Sequence, residues 1–193
     1  MEKGVNAVTR SIPGLFFRMA GQGSRSGRFR EVYDESFPII SRVVYKIVED
    51  LDVAEELCQE AFVRYYERMD TIPDADQAKF WLIRVAKNLA LNFEKRRGRE
   101  QKAYQRAFRE PQSKPESGET LLLREESSRA VQEALNILPE KLRIVLVLKE
   151  YGNLNYKEIA SALDISEGNV KVRVYRARER LARYLKEGDL YVP

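Results

Sequence analysis

The chain has 193 residues, 44% of them hydrophobic and 33% charged, which suits a soluble, largely helical protein with one or two small domains. It has one cysteine and no histidine, which excludes an internal disulfide, a cysteine–histidine zinc site and a histidine general base. No apolar run approaches the roughly 20 residues of a membrane span, and the apolar stretch 12–20 is too broken for a signal peptide. We therefore expect a cytoplasmic protein.

The charges are segregated along the chain although the net charge is only +4. Residues 31–60 contain nine acidic and two basic residues, whereas residues 84–109 contain nine basic and two acidic ones. Segregation of this kind indicates two different partners rather than one uniformly basic surface.

The first 108 residues predict a flexible arm followed by a helical domain. Residues 1–28 are rich in glycine, serine and scattered positive charge, and we expect a mobile arm. Helical spacing begins near Phe29, and Pro38 predicts a helix start or a kink. A second helix is expected after Asp52 as its N-cap, and a third from about residue 78 to 97. We assign residues 29–108 to this domain.

A change of composition separates this domain from a second one. The stretch 109–120 begins REPQSKPESGE, lacks large apolar residues over those eleven positions, and predicts a flexible linker. Helical pattern resumes at about residue 121 and continues through residue 135, Leu138-Pro139 breaks it, and Gly152-Asn153 ends the next helix. We assign residues 121–188 to the second domain. No strand alternation persists, so the predicted fold is all-α, with two small helical domains joined by the linker.

The second domain contains a helix–turn–helix pattern. Asn155 and Glu158 have the spacing of a capping box, Asp164 is expected in the tight turn, and Ser166 is expected to cap the next helix. In that helix, Val170, Val174 and further apolar residues recur at spacings of four and three and predict a stripe packed on the domain. The opposite face is expected to enter a DNA groove.

That opposite face has the chemistry of base reading. Asn169 is suited to adenine, Arg176 to guanine and Val172 to a thymine methyl group. The cations beside them suit phosphates. The full candidate set in this helix is Ser166, Asn169, Lys171, Val172, Arg173, Arg176 and Arg180.

The complete pattern resembles the extracytoplasmic-function (ECF) group of the bacterial sigma-70 family over roughly residues 29–187. In the first domain the resemblance rests on DVAEELCQEAFVRYY at 52–66 and FWLIRVAKNLALNFEKRR at 80–97, which are similar to region two. In the second it rests on residues 138–181, beginning LPEKLRIVLVLKEYGNLNYKEIASALDISEGNV, which are similar to region four. The family often has glycine at the position of Asp164, and aspartate also tolerates the left-handed conformation of a tight turn.

The resemblance implies a promoter-recognition subunit of RNA polymerase that has no catalytic activity, no cofactor and no metal of its own. Its expected partners are core polymerase, the duplex −35 element, the melted −10 element and an anti-sigma factor. The acidic face of the second helix is then the polymerase-binding set: Asp52, Glu55, Glu56, Gln59 and Glu60. The third helix, which is basic and rich in amides, is the −10 set: Lys79, Phe80, Arg84, Lys87, Asn88, Asn92 and Arg96. The helix–turn–helix set becomes the −35 set.

Two other function classes remain open at this point. A stand-alone helix–turn–helix regulator would explain residues 154–181 but not the first domain. An enzyme acting on nucleic acid through carboxylates of residues 49–60 is the other, since Glu56 and Glu60 lie one turn apart and could hold a metal. A solvated face is the better explanation of these two residues, because no further ligand follows at a fixed spacing.

Overall fold

The computed structural model describes residues 24–107 and 122–187, and over these ranges the protein consists of helices and short connections. The helices are α1 (Ser24–Val48), α2 (Leu51–Arg68), α3 (Ala75–Ala107), α4 (Leu122–Ile137), α5 (Glu140–Glu150), α6 (Tyr156–Leu163) and α7 (Glu167–Glu187), with a 3-10 turn at Met69–Thr71. The all-α prediction is therefore confirmed. The expected linker, 109–120, and most of the expected arm, 1–23, lie outside the described residues.

Helix α1 begins five residues before the predicted start near Phe29. Residues 24–28, assigned to the flexible arm, therefore belong to a helix. The apolar spacing could not indicate this turn, because polar contacts hold it: Arg25 forms an ion pair with Asp70 at 3.1 Å, and Arg28 donates to the carbonyl of Ile72. Pro38 lies inside the continuous helix rather than at its start.

Helix α2 is capped by Asp50 rather than by Asp52. The Asp50 side chain accepts a hydrogen bond from the backbone N–H of Val53 at 3.1 Å, and Asp52 lies in the first turn. An acidic residue suits both places, since it satisfies a free N–H at the cap and interacts favourably with the helix dipole in the first turn. The apolar side of α2, which includes Ala54, Phe62 and Tyr65, is buried.

The two domains, α1–α3 and α4–α7, pack directly against each other. Buried residues of α1, such as Val43 and Val44, belong to the same apolar cluster as Val147 and Leu148 of α5. Gly152 lies at this contact, because a Cβ atom there would be 2.6 Å from the carbonyl oxygen of Leu148 and 3.3 Å from a methyl group of Val43. The described residues thus form one body with a shared core.

Candidate nucleic-acid interface

The helix–turn–helix is built from the caps that the sequence predicts. The backbone N–H of Glu158 donates to Asn155 Oδ1 at 3.0 Å, and the backbone N–H of Asn155 donates to Glu158 Oε2 at 2.8 Å. This is a complete capping box at the start of α6.

The turn between α6 and α7 is also the predicted one. Asp164 has φ 56° and ψ 51°, which is the left-handed conformation that ends a helix. The N–H of Ile165 then bonds to the carbonyl of Ala160 at 3.1 Å, and the Ser166 hydroxyl accepts from the N–H of Asn169 at 3.3 Å. These bonds fix the angle at which α7 leaves the turn.

Helix α7 buries one side and exposes the other. Val170, Val174 and Ala177 are buried, and Leu181 is partly buried, so the predicted stripe is confirmed. On the outward side Asn169 and Arg176 are exposed, and Val172 keeps 47% of its surface accessible. Asn169, Val172 and Arg176 are therefore all accessible on the side opposite the buried stripe.

The expected phosphate-binding residues surround this outward face. Lys171 and Arg180 are exposed, Arg173 is partly buried, and Lys171 pairs with Glu167 at 2.8 Å. The hydrogen bond to Glu167 raises the pKa of Lys171, so this side chain stays protonated. All seven candidate residues of α7 and its cap therefore lie at the start of the helix or around its exposed side.

The candidate residues of α3 divide into two groups. Asn88, Asn92 and Arg96 follow one another at spacings of four and are exposed. Residues spaced by four lie on one face of a helix. This outward row is the part of the predicted −10 set that is accessible in the structure.

The other group contacts the second domain. Lys79 Nζ lies 3.5 Å from Glu35 Oε1 of α1 and 3.2 Å from Glu158 Oε1 of α6. Arg84 donates to the carbonyls of Ser161 and Ala162 at the end of α6, at 2.9 and 3.2 Å. On an ideal helix of about 100° per residue, Lys79 lies about 180° around α3 from Asn88.

Phe80 and Lys87 are partly buried as well. Phe80 packs against the main apolar cluster, as does Trp81. Burial lowers the pKa of Lys87, an effect that the charge of Glu140 in the second domain opposes. The fold therefore separates Lys79 from the outward row, whereas Arg84 lies one turn before Asn88 on that row and contacts the end of α6.

The acidic set of α2 lies on the accessible side of that helix. Asp52 and Glu56 are exposed, and the other members are partly buried. Gln59 donates to Glu55 at 3.3 Å, and Arg64 pairs with Glu60 at 2.5 Å. Arg64 compensates the charge of Glu60, whereas Glu56 is an exposed carboxylate at the centre of the face.

The carboxylates and the thiol are the groups of the described ranges that could support catalysis. No three carboxylate or cysteine side chains there lie close enough together to hold a metal ion. The thiol of Cys58 is fully buried, and burial raises its pKa to about 12, so it is not available as a nucleophile. The same ranges contain no helix long and apolar enough to cross a membrane.

Sequence reasoning missed the residues that join the domains. Glu49 accepts hydrogen bonds from Gln132 at 2.8 Å and from Asn136 at 3.0 Å. Lys95 pairs with Glu140 at 3.1 Å, and Arg42 donates to the carbonyl of Tyr151 at 3.0 Å. No local pattern marks these residues, because each partner lies in the other domain.

The two halves of the site match two families. Residues 32–100 match the family described as Sigma-70 region 2, and residues 128–181 match Sigma-70, region 4. Over 152 residues the chain is 32% identical to the RNA polymerase sigma-H factor of Pseudomonas aeruginosa, covering 75% of this chain and 79% of that protein. The chain belongs to the sigma-70 family of RNA polymerase sigma factors.

Other relatives place this sigma factor in the ECF group. It is 31% identical over 150 residues to the ECF RNA polymerase sigma-E factor of Escherichia coli, covering 74% of this chain and 78% of that protein. Its structure resembles that of the sigma factor RpoE from Bartonella quintana, solved in complex with the anti-sigma factor NepR. The TM-score is 0.60 and the identity 25%, over 82% of this chain and 96% of that one. The predicted family is therefore confirmed.

Proposed function

We propose that this sigma factor uses three separate surfaces to direct transcription initiation: α2 for core polymerase, α3 for the melted −10 strand and α7 for the duplex −35 element. The observation that best supports this division is that the exposed face of α7 and the outward amide row of α3 lie on the same body. Helix α6, which precedes α7, begins with a complete capping box and ends in a left-handed turn. A regulator that binds only duplex DNA needs the exposed face of α7 but not the amide row of α3.

On α7 we assign base reading to Asn169, Val172 and Arg176, and phosphate contacts to Ser166, Lys171, Arg173 and Arg180. The assignment is supported by the exposure of the first three along one side of the helix. Amide, apolar and guanidinium groups together match the donors, acceptors and methyl groups of a major groove.

On α3 we assign the melted strand to the outward row of Asn88, Asn92 and Arg96 together with Lys79, Phe80, Arg84 and Lys87. Amide groups at a spacing of one turn are suited to the edges of unpaired bases, and the cations to the backbone. Asn88 is the central member, because it is exposed, follows Lys87 and lies one turn after Arg84.

On α2 the acidic set Asp52, Glu55, Glu56, Gln59 and Glu60 is assigned to core polymerase. An acid-rich face repels DNA and is complementary in charge to a basic surface of a protein partner. An anti-sigma factor is a further proposed partner, as for the Bartonella quintana relative. We propose that the factor has no catalytic activity of its own and acts in the cytoplasm with the polymerase.

Reconstituted transcription with core polymerase tests the proposal. Glu56→Lys should lower holoenzyme assembly by about tenfold, the order expected for reversing one interfacial charge. Transcription from a promoter selected from genomic DNA should fall in parallel, whereas binding of the free chain to duplex DNA should not decrease.

The matched control is Glu31→Lys, which makes the same charge change at an exposed position of α1. If both variants assemble and transcribe like the parent chain, the polymerase surface is not on α2. If the chain selects its DNA site equally well without polymerase and never supports transcription, it is a stand-alone regulator and the proposal is wrong.

A further inference from the structure

A small apolar cluster, distinct from the main one, packs α4 against α7. Its buried members are Leu135, Leu138, Leu146 and Ala177. Two large apolar side chains beside it remain at the surface, Ile137 with 59% of its area accessible and Tyr184 with 37%. The small cluster is therefore open to solvent on the side where the end of α4 meets the end of α7.

The two exposed side chains line one cavity of about 190 Å³. Its other walls are Ala134 and Leu138 on one side and Arg180 and Arg183 on the other. Sites for small molecules usually have volumes of about 300–1,000 Å³, so this cavity is better suited to a single inserted side chain. One apolar wall and one cationic wall favour an apolar side chain that has a carboxylate next to it.

The residues that follow α7 have this chemistry. Helix α7 ends at Glu187, and the chain continues as GDLYVP at 188–193, outside the described residues. In this segment Asp189 directly precedes Leu190, and there is no basic residue. Gly188 is the first residue after the helix, a position where glycine commonly lets the chain leave the helix and reverse its direction.

The segment is long enough to reach the cavity. Arg183 and Tyr184 lie about one turn before the end of α7, which is roughly 5 Å along the helix axis. Leu190 is three residues beyond Glu187, and three extended residues span roughly 10 Å. So short a tether gives the segment an effective concentration at the cavity in the millimolar range. This favours the chain's own segment over a separate partner with similar contacts.

Arg183 is available to bind the acidic residue of the segment. Its guanidinium group pairs with Glu179 at 3.4 Å, and 67% of its side chain is exposed. Ion pairs this exposed contribute little to stability. Because a guanidinium group has five N–H donors, it can bind a second carboxylate without releasing the first.

We propose that residues 188–193 fold back onto the second domain, with Leu190 in the cavity between α4 and α7 and Asp189 paired with Arg183. The segment then covers Ile137 and Tyr184 and closes the open side of the small apolar cluster. It provides an additional attachment of α4 to α7 within one chain. This inference does not depend on which surfaces bind DNA and polymerase.

Nuclear magnetic resonance of the unmodified full chain tests the contact directly. With leucine and isoleucine methyl groups labelled, nuclear Overhauser effects should connect Leu190 to Ile137, because such effects require close contact and a short tether alone does not provide it. An isotope-filtered experiment on mixed labelled and unlabelled chains should show none. Absence of the effects in the first experiment overturns the proposal. Their presence in the mixture assigns the cavity to a second copy of the chain and overturns it as well.

A charge exchange tests the ion pair. Arg183→Glu and Asp189→Arg should each raise the amide hydrogen-exchange rate of Ala134 in α4 by up to roughly fivefold, the order expected for losing one exposed ion pair. The double variant Arg183→Glu, Asp189→Arg should return the rate to that of the parent chain. A double variant that exchanges as fast as the faster single variant contradicts the pairing.

Two further variants separate docking from a general effect of charge. Leu190→Asn keeps the charge and removes the apolar side chain, so it should raise the same exchange rate by roughly tenfold. Lys157→Glu makes the same charge change as Arg183→Glu at an exposed position of α6 that does not line the cavity, and it should have no effect. A parent-like rate in Leu190→Asn, or equal effects of Lys157→Glu and Arg183→Glu, overturns the proposal.

Discussion

Three residues other than glycine adopt left-handed backbone conformations in the described ranges, and each follows a helix. They are Glu49 at φ 57°, Asn153 at φ 53° and Asp164 at φ 56°. Asparagine and aspartate tolerate this region better than other side chains, because their short polar groups bond to nearby backbone. Asp164 determines the direction of α7. A left-handed conformation that costs free energy is therefore tolerated at this position, just before the helix that we assign to duplex DNA.

Asp164→Gly should stabilise the protein by up to about 1.5 kcal/mol. Relief of a left-handed residue is worth about 1–2 kcal/mol, and the added entropy of an unfolded glycine removes about 0.5–1 kcal/mol of it. Asp164→Ala should destabilise it instead, because alanine keeps the Cβ atom and loses the polar group. Denaturant unfolding measures both.

Ala182→Gly is the matched control for this substitution. Ala182 is exposed in the interior of α7, where glycine should cost about 1 kcal/mol. A loss of stability in Asp164→Gly similar to that in Ala182→Gly would show that the Asp164 carboxylate contributes more than its backbone conformation costs.

At the scale of a single element, α7 carries two kinds of basic residue on one helix. Arg176 is exposed on the same side as Asn169 and Val172, whereas Arg173 is partly buried beside the domain surface. A guanidinium group that reads a base and one that holds a phosphate contribute differently to binding. We therefore expect Arg176 to contribute to sequence specificity and Arg173 to contribute to affinity for DNA of any sequence.

The two arginines should respond differently to alanine substitution. Arg176→Ala should cost about 1–3 kcal/mol of binding free energy and relax the preference at one base pair. Arg173→Ala should weaken all sequences about equally and reduce the salt dependence by roughly one unit of slope. Selection of binding sites at two salt concentrations distinguishes them.

Arg183→Ala is the control, because Arg183 lies farther along α7 and pairs with Glu179 at 3.4 Å. It should change neither preference nor salt slope. If Arg176→Ala keeps the parent's base preference and loses only salt slope, α7 enters the groove in another rotation and the assignment is wrong.

At the scale of the whole molecule, two domains that are separate in sequence share one apolar cluster. Val43 of α1, Val147 of α5 and Ile159 of α6 all belong to it. Domains joined only by a tether unfold independently, whereas domains with a common core lose their burial together.

Unfolding in denaturant should therefore be a single transition. Trp81 is the only tryptophan and lies in the first domain, so its fluorescence reports that domain alone. Far-ultraviolet circular dichroism reports the helices of both domains. We expect the two midpoints to coincide, and a second domain that melts first, seen as a separate dichroism transition, would contradict the shared core.

The double variant Gln132→Ala, Asn136→Ala is the useful comparison in the same measurement. It should lower the common midpoint or split the transition, because it removes contacts between domains. A variant with an unchanged midpoint would mean that the apolar cluster alone holds the domains together.

The sequence by itself determined the all-α class, the helix–turn–helix and the buried stripe of α7. It could do so because these features depend on residues within one or two turns of each other. The Asn155–Glu158 capping box spans three positions, and the stripe from Val170 to Val174 spans four. Helix caps and the helical spacing of apolar residues depend on residues that are close in the chain, so both can be recognised in the sequence.

At the starts of α1 and α2 the local sequence pattern is ambiguous, and the predicted helix boundaries differ from those of the structure by a few residues. Asp50 and Asp52 are equally suitable caps, and only the start of α2 at Leu51 selects Asp50. The first turn of α1 has no apolar period, and it is fixed by contacts of Arg25 and Arg28 with residues more than 40 positions away.

The tertiary structure alone decided which polar residues of α3 are free. Lys79 and Asn88 are both plausible DNA-binding residues in the sequence, yet Lys79 is held by Glu158 and Asn88 is exposed. Arg84 and its acceptor on Ser161 are separated by 77 positions, and that acceptor is a backbone carbonyl, which every residue possesses. No residue pattern can mark such a partner, since it is created by the end of a helix and brought near Arg84 only by the packing of one domain on the other.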